Sequence, residues 1–384
     1  MASQLNRPNL SVSNLLLIVA TGFLVILLWQ LRSLLVTLMI AVVLAAAVTP
    51  LVEAAEKWRF PRWLAVITVY LAMLASLIGA GLIIGPTLAT QTQSLVTRLP
   101  EYLDNLWGLI ERFAIKEGIT PPEAIPQFFD LQALTSWAIR SGQQLLVQSY
   151  GLTTGILGAV FNLILAFLLS GYMVAGRENL IKGLVNLFPQ PWDERLAAQV
   201  KPITHRMGGY IQGRVLVSAI LGVAITLGLG ILGLSEFALA LGVIAGFTNL
   251  IPFVGPILGA VPALIVAVSQ GEWTFLWVLL LFAIAQNLET YVLDPLLVGS
   301  SVQVHPLYQL LAVLGGTQVL GILGAVIVPP WVAGLSVLLE NLYLRPKLLA
   351  EDTTTVEPPI ESAIEPLSAS ATLPINSSKL HGNS

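Results

Sequence analysis

The chain has 384 residues, of which 56% are hydrophobic and only 10% charged, and 18 basic against 21 acidic residues leave a net charge of −3. Soluble domains carry about 25% charged residues, so this composition predicts an all-α, polytopic membrane protein. The weakly acidic balance offers no basic surface for nucleic acid. With no cysteine, the chain cannot form disulfides, thiolate metal sites or cysteine nucleophiles.

Eight apolar stretches are long enough to cross a bilayer, which requires about 20 residues. The first has no small-residue cleavage site before the second begins, so we interpret it as a retained span and not a signal peptide. The candidates are 12–31, 34–52, 63–88, 151–175, 214–234, 237–269, 273–293 and 307–340. The prediction is a helical bundle of about seven to eight spans, with a permease domain over 12–345.

Lysine and arginine collect in two connections of the chain. Lys57, Arg59 and Arg62 follow the second span, and five basic residues lie in 176–213, after the fourth, with Arg214 directly beyond them. Such an excess marks the cytoplasmic side, and two crossings separate the two connections. We therefore expect the loop 176–213, the N-terminal residues 1–11 and the C-terminus to be cytoplasmic.

The opposite loop, 89–150, is expected to be an amphipathic helical insertion. Its apolar residues recur three to four positions apart, at Leu99, Leu103, Leu106, Ile110 and Phe113. A second helix is expected after Pro121 and Pro122, through Leu131, Leu134 and Trp137. These helices could lie on the membrane, contact neighbouring subunits or cap their own spans.

The tail 346–384 is rich in Ser, Thr, Pro and Glu and poor in large apolar residues. Such a composition cannot bury enough surface to order itself. We predict that the tail is disordered.

The string "TNLIPFVGPILGAVP" interrupts an apolar segment that is too long for one crossing. From Phe237 to Gln270 a straight helix would reach about 50 Å, against a hydrocarbon core of about 30 Å. Pro252 and Pro256, with Gly255 between them, cannot continue a straight helix. We predict a re-entrant hairpin bent at Asn249 to Gly255, because freed backbone groups are tolerated at membrane depth only beside protein or water.

A second broken element is expected in 307–340, which is again too long for one crossing. Its candidate breaks are Gly315-Gly316, Gly321, Gly324 and Pro329-Pro330. Broken helices are where secondary transporters place their substrate sites.

One carboxylate in the second half of the chain is a candidate for function. From Val215 to Leu344 there is no Lys or Arg, and Glu289 lies about one turn inside the seventh span, near Gln286 and Asp294. A carboxylate at that depth with no basic partner is a candidate for binding a cation or a proton. Alternatively, it snorkels to the interface or caps a neighbouring helix.

Several familiar chemistries lack their residues here. The three histidines are widely separated, which argues against a metal site, and no phosphate-binding Gly-Lys-Ser/Thr loop, GxSxG or HExxH occurs. We expect neither an enzyme nor a cofactor. Transport would use an ion gradient, the membrane potential, the solute's own gradient or a partner.

Four strings together carry a family resemblance over about residues 15–345: "GGYIQGRVLVSAILG", "GFTNLIPFVGPILGAVPALI", "QNLETYVLDPLLVGSSVQVHPL" and "GGTQVLGILGAV". The chain resembles the autoinducer-2 exporter family of bacterial permeases. The matching positions are Tyr210 and Gly213, then Asn249, Ile251, Pro252, Gly255 and Pro256, then Gln286, Glu289, Leu293, Pro295, Gly299, His305 and Pro306. Arg214 stands where the family commonly has Gln, and Pro329-Pro330-Trp331 replaces a single proline.

The resemblance implies a multi-pass inner-membrane protein that is homo-oligomeric. Some relatives resemble exporters of autoinducer-2, and others are similar to sodium-proton antiporters. The family alone therefore leaves the solute open.

These observations together predict a permease that exports a small polar solute and contacts membrane lipid. The predicted pathway residues are Asn249, Pro252, Gly255, Pro256, Gln286, Glu289, Pro295 and Gly299. Asn249 would offer its amide, the backbone freed by the prolines would offer carbonyls, and Glu289 would bind a proton or monovalent cation. The alternatives are a sodium/proton antiporter and a non-transporting oligomeric scaffold.

Overall fold

The structure is a computed structural model that describes residues 12–117, 155–299 and 305–348. The N-terminal residues 1–11, the helix expected after Pro122 and the tail beyond Leu348 lie outside these ranges. The described residues up to Leu338 form one compact unit, and the described residues from Leu339 onward belong to a second. The described part of the second unit is helical and includes the π-helical stretch Glu340–Leu344.

Every regular element in the described ranges is helical. Between α9 and α10 lies a π-helical segment, Glu289–Gly299. The α-helices are α1 Val12–Gln30, α2 Arg32–Glu56, α3 Arg62–Glu117, α4 Gly155–Ala175, α5 Arg177–Val185, α6 Trp192–Ile231, α7 Ala238–Thr248, α8 Gly255–Gln270, α9 Glu272–Leu288, α10 Pro306–Leu320 and α11 Ile322–Leu339.

Within the described ranges, five helical stretches are long and apolar enough to cross a membrane: Arg32–Glu56, Arg62–Gly108, Trp192–Ile231, Glu272–Gly299 and Ile322–Leu348. A sixth arises if α4 and α5, which are bent by 84°, count as one broken span. The described part of the chain is thus all-helical, and the chain is a multi-pass membrane protein. The expected seven to eight spans are not confirmed, because the segment 237–269 divides into two short helices and only Val19–Gln30 of the first predicted span is found, as a shorter apolar helix. The segment 307–340 also divides, yet its second helix belongs to one of the five spans.

Helix α3 is longer than the span from which it was predicted. It has 56 residues and contains Pro86 and Pro100, and at about 1.5 Å per residue it is about 84 Å long. The amphipathic helix expected from Leu99 onward is therefore a continuation of the third span. Likewise, α6 begins at Trp192, inside the loop expected over 176–213.

Helices α6, α7 and α8 fold back on one another at glycines. Gly222 of α6 faces Gly246 of α7 so closely that a Cβ on Gly246 would lie 3.1 Å from the Gly222 Cα. On the other side of α7, a Cβ on Gly259 of α8 would lie 2.7 Å from the Cα of Ala245. Small residues allow this backbone approach, which no larger side chain would permit at these positions.

The long helix α3 is attached to the start of α7. The backbone amide of Ala240 donates a 2.9 Å hydrogen bond to Oε1 of Gln91, and Arg98 Nη2 lies 2.9 Å from Oε1 of Glu236. The buried ring of Phe237 packs edge-on against Tyr102. These contacts fix α7 and the turn before it against the extended part of α3.

The second broken element bends at one of its expected positions. Helix α10 ends just before Gly321, whose φ of 66° is unfavourable for residues with a Cβ. Gly316 and Gly324 then pack together so tightly that a Cβ on either would overlap the other's carbonyl group. Pro329 and Pro330 do not break the chain: both are buried inside α11.

Candidate functional site

The break between α7 and α8 and the polar end of α9 meet at a cavity of about 280 Å³. Its walls are apolar and come from α6, α7, α8 and α9, with Leu221, Ile225, Ala260, Leu264 and Phe282 among them. Four of the eight predicted pathway residues also line it: Asn249, Pro256, Gln286 and Glu289. The cavity is thus an apolar chamber with one polar end.

The polar end combines an amide from the end of α7 with a carboxylate from the end of α9. Asn249 and Glu289 are only 2% and 4% exposed. The Asn249 amide lies near the Glu289 carboxylate, yet its Nδ2 makes no hydrogen bond of normal geometry with the described residues. Gln286, one turn before Glu289, donates to the Thr290 hydroxyl at 3.2 Å. Buried polar donors are costly to leave unpaired, so the Asn249 amide is available to a hydrogen-bond acceptor.

The expectation that Glu289 lacks a basic partner is wrong. Nη1 of Arg214 lies 2.9 Å from Oε1 of Glu289, and both side chains are almost fully buried. The same nitrogen lies 3.3 Å from Oδ1 of Asp294, whose side chain is 40% exposed. Arg214 directly precedes the stretch without Lys or Arg, so the partner of Glu289 lies just outside that stretch.

The π-helical geometry explains how one guanidinium reaches both carboxylates. Residues five apart on an α-helix lie about 140° apart around the axis and face different directions. In a π-helix, residues i and i+5 are joined by the backbone hydrogen bond and share a face. Glu289 and Asp294 are five apart within the π-helical segment Glu289–Gly299. Pro295 in that segment disfavours a regular α-helical turn.

The π-helical segment is fixed against α6 on either side of Arg214. A Cβ on Gly213 would overlap the carbonyl oxygen of Leu297, so the two backbones touch there. One turn earlier, the buried Tyr210 hydroxyl accepts a 3.1 Å hydrogen bond from Nε2 of Gln309 in α10. Val217 continues the contact in an apolar cluster that includes Val298. The position of Arg214 is therefore set by backbone contact as well as by charge.

The other four predicted pathway residues do not line the cavity. Pro252 is buried in the turn between α7 and α8, beside Phe253 with its unfavourable φ of 65°. Gly255 begins α8 where a Cβ would overlap the Thr248 carbonyl. Pro295 and Gly299 lie in the π-helical segment and are exposed. These residues shape the elements around the cavity.

Arg214 and Asp294, which meet beside Glu289, were not among the predicted pathway residues, and neither was the buried Ser218. Arg214 and Ser218 are four apart on α6 and so share a face. The Ser218 hydroxyl and Nε and Nη2 of Arg214 are buried without a hydrogen-bond partner among the described residues. Arg214 carried a signal, since it replaces the glutamine that the resemblance implies. Ser218 carried none, because a serine in a membrane helix is common.

Comparison with known proteins finds relatives that align with most of the chain. YrrI of Bacillus subtilis strain 168 is 29% identical over 343 residues, covering 86% of this chain and 94% of YrrI. YueF of the same organism is 28% identical over 317 residues, covering 81% and 85%. The AI-2 transport protein TqsA of Escherichia coli K12 is 23% identical over 348 residues, covering 87% and 94%.

The model of the AI-2E family transporter matches residues 16–344, which include every helix that lines the cavity. The chain therefore belongs to the AI-2E transporter family and is a membrane transporter.

Proposed function

We propose that the chain exports a small polar solute through the cavity between α6, the α7–α8 hairpin and α9. The observation that carries the proposal is the meeting of Asn249, Pro256, Gln286 and Glu289 at one chamber. They come from three parts of the chain, and two of them stand where helices break. Pockets with apolar walls and a few convergent polar groups are the usual form of small-molecule sites.

The size of the chamber favours a small solute. Its volume of about 280 Å³ lies just below the usual range for ligand pockets, about 300–1,000 Å³. The related protein TqsA is named for AI-2 transport. We take autoinducer-2, or a polar molecule of similar size, as the first solute to test.

The hairpin would enter the membrane and return to the side from which it came. Helices α7 and α8 have 11 and 16 residues, which correspond to about 16 and 24 Å, less than a hydrocarbon core of about 30 Å. The turn between them would then lie at membrane depth, where it needs protein or water around it. The cavity beside Asn249 and Pro256 would supply that environment.

The remaining features of the proposal concern topology and assembly. We place the protein in the inner membrane with both termini in the cytoplasm, because basic residues collect in the two connections named above.

Several large apolar side chains of α3, including Leu82 at 73% and Ile83 at 79%, are exposed in the single chain. They would face lipid or neighbouring copies in a homo-oligomer. No ATP-binding loop occurs in the sequence, so the energy would come from a gradient or a partner.

A cation/proton antiporter is the second candidate. It is favoured by two carboxylates, Glu289 and Asp294, that share one face at the end of α9. Arg214 opposes it, because a guanidinium already neutralises Glu289 at 2.9 Å. The remaining alternative is a scaffold that does not transport solute and needs no chamber. A chamber that is closed to water would favour the scaffold.

Release of preloaded autoinducer-2 from proteoliposomes tests the first candidate. Pro256→Ala and Glu289→Gln should lose release, as should Ala260→Trp, whose indole would fill the chamber. The matched control is Ala75→Trp on the exposed face of α3, which should release solute like wild type. Full release by the first three variants, with normal insertion, would exclude this pathway. Release of no solute by wild type, with sodium-driven proton flux in a pH-dye assay, would favour the antiporter.

A further inference from the structure

We propose that Arg214 is an internal counter-cation, which occupies the Glu289 and Asp294 carboxylates in place of a free monovalent ion. Solute movement then needs no coupling sodium ion, and loss of the arginine turns the carboxylate pair into a sodium site. That solute moves without a coupling sodium ion rests on the proposed function. That sodium binds once the arginine is lost does not.

The contacts of the guanidinium carry the proposal. Nη1 is shared between Glu289 at 2.9 Å and Asp294 at 3.3 Å, so a single positive charge faces two negative ones. Arginine does not lose its proton in proteins, so this charge is permanent. A free cation would have to displace a tethered one from the same oxygens. Position 214 thus fixes the charge of the polar end of the chamber.

The surrounding backbone prevents the guanidinium from withdrawing easily. Arg214 is 3% exposed, and the adjacent Gly213 touches the π-helical segment at Leu297. Tyr210, one turn away, is held by Gln309. A rotation of α6 that removed Arg214 from Glu289 would therefore break three contacts together.

The two carboxylates differ in their need for a cation. Glu289 has only 5% of its side chain exposed, whereas Asp294 has 40% and can be partly hydrated. An unpaired charge in a membrane interior is expensive and normally finds a partner. With a neutral residue at position 214, Glu289 must be neutralised by a proton or by a replacement cation, and Asp294 on the same face provides a second ligand that favours the cation. Carboxylate oxygens are suitable ligands for small hard cations.

The test compares the thermal unfolding of the purified full-length protein in sodium chloride and in choline chloride at equal ionic strength. Wild type should unfold at the same temperature in both salts. Arg214→Gln should unfold at a lower temperature in choline, and sodium should raise that temperature by about 2–4 °C or more. Arg214→Lys keeps a positive charge and should be insensitive to sodium. The double variant Arg214→Gln/Glu289→Gln has no buried charge to neutralise and should also be insensitive.

Two outcomes overturn the proposal directly. One is a sodium-dependent rise in wild type that Glu289→Gln removes, because a free cation would then already occupy the site. The other is an Arg214→Gln variant that is indifferent to sodium, whether its unfolding temperature in choline equals that of wild type or is lower, because the carboxylates then do not bind the ion.

If Arg214→Gln cannot be purified in folded form in choline chloride, its purification in sodium chloride provides the test. Recovery in sodium alone supports the proposal. Recovery in neither salt, with the double variant folded, shows that the carboxylates cannot take sodium and overturns it. Failure of the double variant as well would assign Arg214 a packing role and also overturn it. None of these readouts uses a solute, so they stand even if the proposed export fails.

Discussion

Arg214 and Glu289 form a buried ion pair, with 2.9 Å between Nη1 and Oε1, at the polar end of the candidate transport chamber. The arginine comes from α6 and the glutamate from the junction of α9 with the π-helical segment. The pair thus joins the helix before the broken hairpin to the helix after it.

The energetics of this pair can be measured with a double-mutant cycle. Arg214→Met alone leaves the buried Glu289 carboxylate uncompensated and should cost about 3–5 kcal/mol of unfolding free energy in the absence of sodium. Arg214→Met/Glu289→Leu removes both charges and should cost clearly less than the single change. Denaturant unfolding in choline buffer provides the measurement. The cycle also includes Glu289→Leu alone, and a loss in the double variant equal to the sum of the two single losses would show that the charges do not interact.

The backbone contact beside Arg214 gives a second prediction. In Gly213→Ala, the new Cβ would overlap the carbonyl of Leu297 and push the π-helical segment away from α6. Melting temperature and solute release should both fall. Gly230→Ala is the matched control on the same helix, since no described atom lies within 4 Å of its Cβ. Because alanine is the better helix former by about 1 kcal/mol, the control should be as stable as wild type or more so. Equal behaviour of the two variants would contradict a tight contact at Gly213.

The turn of the hairpin gives a third prediction. Gly255→Ala places a Cβ against the Thr248 carbonyl, so α7 and α8 must separate where the chamber begins. Solute release should drop severalfold even in protein that still inserts and purifies normally. Gly315→Ala in α10, which has open space around its Cβ among the described residues, should release solute normally. A normal rate for Gly255→Ala would mean that the closed turn is not required.

The contact between α3 and the start of α7 includes a buried aromatic side chain and an exposed ion pair. Variants of the two compare the stability contributed by apolar packing with that contributed by surface charge. Phe237 is 1% exposed, so Phe237→Ala should cost about 3–5 kcal/mol. Arg98→Gln removes an ion pair whose two side chains are about half exposed, and such pairs contribute little in water. Its melting temperature should stay near that of wild type. A larger loss for Arg98→Gln than for Phe237→Ala would reverse this ranking.

The sequence predicted the helical class and the break near Pro252 because apolar length and proline act locally. It also selected Asn249, Pro256, Gln286 and Glu289, which do line one chamber. It could not predict that Glu289 is paired, because that depends on how α6 packs against a segment far along the chain. The π-helical geometry that lets Asp294 share the guanidinium also has no clear local signal.

Helix ends were less predictable than helix positions. Pro100 suggests a break, yet α3 continues through it to Glu117. Pro329 and Pro330 suggest another, yet they are buried in α11 while the chain bends at Gly321. A proline disrupts only the turn before it, and packing decides whether the helix resumes.

Under the proposed function, the chamber beside Asn249 and Glu289 is a water-accessible path for solute. Because the chain has no cysteine, a single Ala260→Cys can be labelled without background, and Ala75→Cys on α3 serves as the control. A water-soluble methanethiosulfonate reagent should label position 260 in membranes and stop solute release, while position 75 stays unlabelled in the lipid. If Ala260→Cys reacts only after unfolding, or if its labelling leaves solute release unchanged, the chamber is not the path of the solute.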